Sequence, residues 1–236
     1  YFQRLGMSYG ADTNAHTSYE ETVYQLQLPE NDMAMLETGM ELFRDYADRM
    51  LLQKEEIDNE RGVILSEMRT RDTIDYRIHK AHMDFLFPGC RVAKRHPIGI
   101  KPVIKNAPRE RFLNFYHKWY VPGRIAVVAV GDIKTESLEE LVQKYFGSME
   151  AAQEPGEFPD LETPSIKGLR TGYHYEEEAS KTTIHIETIK PVSETKDTCA
   201  KRREEIVRQV ANQIISKRLD IMAKDEGSSF NSGDSY

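Results

Sequence analysis

An α+β fold, an antiparallel sheet backed by helices, is predicted by three features of the sequence. Thr22, Tyr24, Leu26 and Leu28 alternate with Val23, Gln25 and Gln27, the two-residue period of a half-buried strand. Leu36, Met40, Phe43, Ala47 and Met50 then recur at helical spacing. The same order of two strands and a helix returns after a stretch rich in Pro and Gly, over residues 170–224. With 236 residues the chain is long enough for one large domain or one and a half ordinary ones.

Residues 11–17 and 21–28 read as an antiparallel hairpin joined at Ser18-Tyr19-Glu20 and closed by Pro29. Asn31 and Asp32 are candidate caps for the first helix. A second helix is expected from about Lys54 to Arg69 and a third from Thr73 to Phe87. Gly62 lies inside the second helix, where close approach of another backbone, or chance, accounts for it. Residues 88–108 are rich in Pro and Gly and read as a surface loop. Arg109 to Tyr120 fits a helix with Phe112, Phe115, Tyr116 and Trp119 on its apolar side. Ile125 to Val130 is a continuous apolar run and predicts a strand buried on both faces. Leu138, Leu141, Val142, Tyr145 and Phe146 mark the next helix.

Residues 151–168 lack periodicity and carry several prolines among acids, so they form the linker between a first domain, residues 1–150, and a second, residues 169–236. The second opens with a predicted hairpin, 170–177 and 182–189. A helix from Ser193 to Lys224 follows, with Val207, Val210, Ala211, Ile214, Ile215 and Met222 inward. Residues 227–235 read as a flexible tail. Two strands and a helix are few for a self-contained core, so the second domain is expected to be incomplete.

A net charge of -7 argues against a nucleic-acid platform. No apolar run approaches the roughly 18 residues of a membrane span. The two cysteines, Cys90 and Cys199, are expected to be free thiols rather than a disulfide or a thiolate metal site. No Ser/His/Asp triad, phosphate-cradling loop or dinucleotide fingerprint is present.

The chemistry-bearing feature is the pair Glu60 and Glu67 in Asn59-Glu60-Arg61-Gly62-Val63-Ile64-Leu65-Ser66-Glu67. Seven residues span nearly two helical turns, so both carboxylates project from one face, about 10 Å apart along the axis. Val63, Ile64 and Leu65 between them are expected to bury the helix. A solvated charged face is the alternative, because Lys54, Glu55, Glu56 and Asp58 precede the pair.

With Gly10-Ala11-Asp12-Thr13-Asn14-Ala15-His16-Thr17-Ser18 upstream and Tyr120-Val121-Pro122-Gly123-Arg124-Ile125-Ala126-Val127-Val128-Ala129-Val130-Gly131-Asp132 downstream, this helix resembles the insulinase/pitrilysin family of zinc metallopeptidases, the inverzincins. The likeness is to bacterial, processing-peptidase-like members. It implies consecutive domains of one fold (metallopeptidase LuxS/MPP-like). It makes residues 1–150 the remainder of an N-terminal catalytic domain and residues 169–236 the start of a second. Family chemistry needs a zinc ion to polarise the scissile carbonyl and a carboxylate to take a proton from water. Glu67 matches the third zinc ligand. Glu60 matches a catalytic-site carboxylate that steers a ligand or the substrate. Asn14 and Ala15 match the edge strand that receives extended peptide by β-augmentation; an Asn in a tight bulge or hairpin is the alternative.

The family's His-x-x-Glu-His signature is absent from the seven histidines. Its spacing from Glu67 places it before Tyr1, so the chain is expected to be a fragment that lacks two of the three zinc ligands and the general base. Such a fragment would be inactive and retain no zinc. His16 is expected to be an exposed strand histidine. His79 and His82, three apart on a predicted helix, form a weaker metal candidate with Asp75.

The function implied for the parent is hydrolysis of extended or unfolded peptides, in a homodimer or with a paired family half. The alternative is a non-catalytic homologue that binds peptides or scaffolds an active partner. Bacterial periplasm and cytoplasm both remain open as compartments.

Overall fold

The computed structural model describes residues 7–8, 10, 12–150, 156–162, 164–190 and 196–236. It divides into two compact units, Tyr1–Lys181 and Thr182–Tyr236. Among the described residues the fold is helix-rich, with one two-stranded antiparallel sheet.

In the first unit, β1 (Thr13–Thr17) pairs with β2 (Thr22–Leu26) in the register Ala15 opposite Tyr24. Ala11, in the expected strand, lies outside the described residues. The hairpin packs on α1 (Met33–Asp48) where Gly39 leaves room: a Cβ there would come within 3.3 Å of Leu26 and 3.4 Å of Leu28. Asp32 caps α1 as expected, its Oδ1 accepting from the Met35 amide at 3.1 Å. Then follow α2 (Lys54–Arg71) and α3 (Ile74–Leu86), the latter capped by the Thr73 hydroxyl at 3.3 Å from the Tyr76 amide.

The core gathers Met40 and Ala47 of α1, Tyr116 of α6 (Arg109–Trp119), Val121, and Leu141 of α7 (Thr135–Phe146). The Tyr116 hydroxyl donates to the Tyr46 carbonyl at 2.8 Å and accepts from the Met50 amide at 3.2 Å. Tyr24 of the hairpin reaches the same cluster through a 2.7 Å hydroxyl contact with Tyr120.

Four expectations for this unit change. Residues 88–108 are not a bare loop: they hold the short helices α4 (Arg91–Lys94) and α5 (Lys101–Asn106), the second with Pro102 in its first turn, which its fixed φ suits. Ile125–Val130 forms no strand, and Val128 and Val130 are 79% and 95% exposed. A strand needs a ladder partner, and none of the described residues supplies one. Residues 170–177 are likewise without strand pairing. Val63–Leu65 do not bury α2, which has no buried residue; an added Cβ at Gly62 would meet nothing within 4 Å.

The second unit holds α8 (Cys199–Met222), capped by Thr198, whose hydroxyl accepts from the Lys201 amide at 3.2 Å. Residues 193–195 of the expected helix lie outside the described residues, and 182–189 form no strand. The inward face predicted for α8 has no buried residue, and no other helix or strand of this unit is found among the described residues to pack on it. Residues 227–235 are not a free tail. Ser235 donates its amide to Ser216 at 2.9 Å and its hydroxyl to Asn212 at 3.0 Å, folding the segment back along α8.

Candidate functional site

The backbone of α2 runs unbroken from Lys54 to Arg71, which puts Glu60 and Glu67 on one face, about 20° apart in projection. Arg61 fixes the helix to its surroundings. Its guanidinium donates to Asp58 at 2.9 Å, to the Ala107 carbonyl at 2.6 Å, and to the Ile104 carbonyl. Three donors on one rigid side chain hold α2 against the C-terminal end of α5.

Glu60 is exposed and makes no hydrogen bond or ion pair among the described residues. Glu67 is partly covered, with its side chain 39% exposed, and its Oε1 lies 2.6 Å from an Arg71 guanidinium nitrogen. The sequence reading missed Arg71. Its signal was the i, i+4 spacing of Glu before Arg, which brings the two side chains together on a helix. The guanidinium sits where a cation would be drawn to this carboxylate, and it is half-exposed and free to swing away.

The hairpin presents a second feature. The Ser18 amide donates to the Glu21 carbonyl at 2.9 Å and the Gln27 amide to the Asp12 carbonyl at 2.7 Å. In the observed register, bonded pairs therefore alternate through Asn14/Gln25 and His16/Val23, and the main-chain groups of Ala15 face away from β2. That outward amide is met by the neighbouring side chain: Ala15 N–H donates to Asn14 Oδ1 at 2.8 Å. Asn14 thus covers the donor an added strand would use. Neither glutamate forms a hydrogen bond or ion pair with Asn14 or Ala15 among the described residues.

His16 is exposed, its Nε2 4.0 Å from Glu21. No group of three or more His, Cys, Asp or Glu side chains gathers among the described residues, around His79 and His82 or elsewhere. The donor set at Glu67 is therefore one carboxylate already paired with an arginine, and by itself it does not fit a zinc ion, which takes three or four protein ligands. Cys90 is buried and Cys199 exposed, both as free thiols. No helix among the described residues is long and apolar enough to cross a membrane.

Two family models match the chain. Residues 1–85 match the insulinase family, peptidase family M16, and residues 106–218 match the peptidase M16 inactive domain. A probable zinc protease, PqqL, of Haemophilus influenzae is 28% identical over 99% of this chain and 25% of its own length. The first half of the periplasmic protease PqqL of Escherichia coli superposes with a TM-score of 0.63 at 31% identity, over 67% of this chain and 34% of that one. A mutant ferredoxin protease, FusC, solved in complex with Arabidopsis ferredoxin, gives a TM-score of 0.64 at 25% identity, over 70% of this chain and 18% of that one. The chain thus spans about a quarter of the Haemophilus relative's length.

Proposed function

This chain belongs to the insulinase/pitrilysin family of peptidases (M16), and from that membership we propose that it forms part of a zinc-dependent metalloendopeptidase acting on extended or unfolded peptides. The observation that carries the proposal is the shared face of Glu60 and Glu67 on a helix inside the segment matched by the insulinase model. The complete site needs a His-x-x-Glu-His helix, which these residues do not contain. In a polypeptide or assembly that brings one, Glu67 would serve as the third zinc ligand in place of its pairing with Arg71. Glu60, unpaired, is then placed to act on a ligand or the substrate.

Peptide substrate binds as an added strand on the outer edge of β1. It displaces the Asn14 oxygen from the Ala15 amide, and the freed carboxamide can bond the substrate in turn. The chain alone retains no zinc and cleaves no peptide. Residues 1–150 are the remainder of a catalytic domain, 151–168 a linker, and 169–236 the start of a second domain of the same LuxS/MPP-like fold. The uncovered face of α8 supports an incomplete second domain. A homodimer or a paired family half then encloses the substrate. Its setting is the periplasm, as for the Escherichia coli protein.

The test is hydrolysis of an unstructured fluorogenic peptide by the zinc-loaded polypeptide that joins this chain to a His-x-x-Glu-His helix. Glu60→Gln is expected to lower kcat by at least about a hundred-fold, the scale of a lost acid–base or steering carboxylate, with zinc content unchanged. Wild-type turnover in that variant would remove Glu60 from the site. Absence of hydrolysis by the wild type would favour the non-catalytic, peptide-binding reading.

A further inference from the structure

The face of α2 opposite the glutamates lines a second feature. Leu65 and Arg69 point about 160° away from Glu67 in helical projection, and Met68 about 100°. They border an open cleft of about 580 Å³ that α3 and α5 complete. Its rim carries Arg69, Lys80, Lys101 and Lys105, all exposed and none in an ion pair with a described residue. The single carboxylate on the rim, Asp72, already faces Arg77 at 3.8 Å. Four unpaired cations thus converge on one groove of a chain whose net charge is -7.

Between them lie the apolar side chains of Leu65 and Ile98, half-buried, and of Ile100, exposed. A smaller cavity of about 290 Å³ continues it past Tyr76 and Lys80 to His96, whose Nε2 is buried without a hydrogen-bond partner among the described residues. Such a groove differs from a phosphate site. None of its cations is buried, and they come from three separate elements rather than one cradle of main-chain amides. A cleft with a basic rim and apolar side chains between the cations complements an extended segment that alternates acidic and apolar side chains.

We propose that this cleft is a docking groove for an acidic, amphipathic polypeptide segment, on the side of α2 opposite the metal-ligand face. Docking there needs neither zinc nor peptide hydrolysis, so its failure would leave the peptidase reading untouched.

The test is fluorescence anisotropy of the 236-residue chain with a labelled decapeptide of alternating glutamate and leucine, and with its lysine–leucine counterpart. The acidic peptide is expected to bind and the basic one not to, with affinity falling between 50 mM and about 300 mM salt as screening grows. Lys101→Glu with Lys105→Glu is expected to weaken binding about ten-fold, since two attractions become repulsions. Should that pair disturb folding by circular dichroism, Arg69→Gln with Lys80→Gln carries the same test, with about a three-fold loss expected. Equal binding of the two peptides, unchanged affinity in folded variants, or no binding at all would overturn the proposal. Full displacement by millimolar inorganic phosphate would overturn the polypeptide assignment in favour of a small anion.

Discussion

Arg44 shows how one residue can hold two helices. It is nearly buried, yet both ends of its guanidinium are matched: Nε donates to Asp48 at 2.7 Å, one terminal nitrogen to the same carboxylate at 2.6 Å, and the other to the Tyr145 carbonyl on α7. Removing one partner of a covered pair strands the other, which costs about 3 kcal/mol. Arg44→Met should lower stability by that amount in urea denaturation, and Arg44→Leu with Asp48→Leu should recover part of it. A loss below about 0.5 kcal/mol would class the pair with ordinary surface ion pairs. His96 provides the pH-dependent counterpart. Burial, then the nearby Lys80, push its pKa below 6.5, and its Nδ1 lies 3.3 Å from the Tyr19 hydroxyl. The unfolded chain therefore binds the proton more readily than the folded one. The stabilisation from a neutral His96 is complete above pH 6.5 and is lost as pH falls through the depressed folded value. Melting temperature should drop between pH 8 and pH 5.5, and His96→Gln should shrink that drop; an identical drop in the variant would assign it to other groups.

At the scale of elements, the hairpin makes a sharp prediction. The Ala15 amide serves the open edge and not the ladder, so Ala15→Pro should leave the β1–β2 pairing intact and abolish strand addition. Peptide affinity of the zinc-loaded polypeptide should fall at least about ten-fold with zinc content unchanged, and retained affinity would move the binding edge elsewhere. Helices were the legible part of this sequence, because their bonds are local: the spacing of Leu36 to Met50 with the cap candidate Asp32 found α1, and the expected span Thr73 to Phe87 found α3 within a residue or two. Ile125–Val130 was not legible in the same way. Its composition reads as a strand, but a strand exists only when another backbone pairs with it, and among the described residues none does. The carboxylate face of α2 was legible from spacing alone, and the Glu67–Arg71 pair was within reach of the same rule. The basic cleft was not, because Arg69, Lys80 and Lys101 come together only through the packing of separate helices.

For the whole molecule, the uncovered surfaces have one pattern. Val128 and Val130 stand exposed in the first unit, and Val207 and Ile214 of α8 stand exposed in the second. Each is apolar surface left open among the described residues, in a chain that spans about a quarter of its Haemophilus relative's length. In the proposed peptidase, α2 brings one zinc ligand, Glu67, to a site whose other ligands lie on a His-x-x-Glu-His helix. The most direct measurement is zinc stoichiometry by elemental analysis after dialysis, on the polypeptide that joins the two and on this chain alone. About one zinc per joined polypeptide is expected, with none held by the 236-residue chain and the metal lost in the joined Glu67→Gln variant. A full equivalent of zinc retained in that variant, or held tightly by this chain alone, would contradict that arrangement.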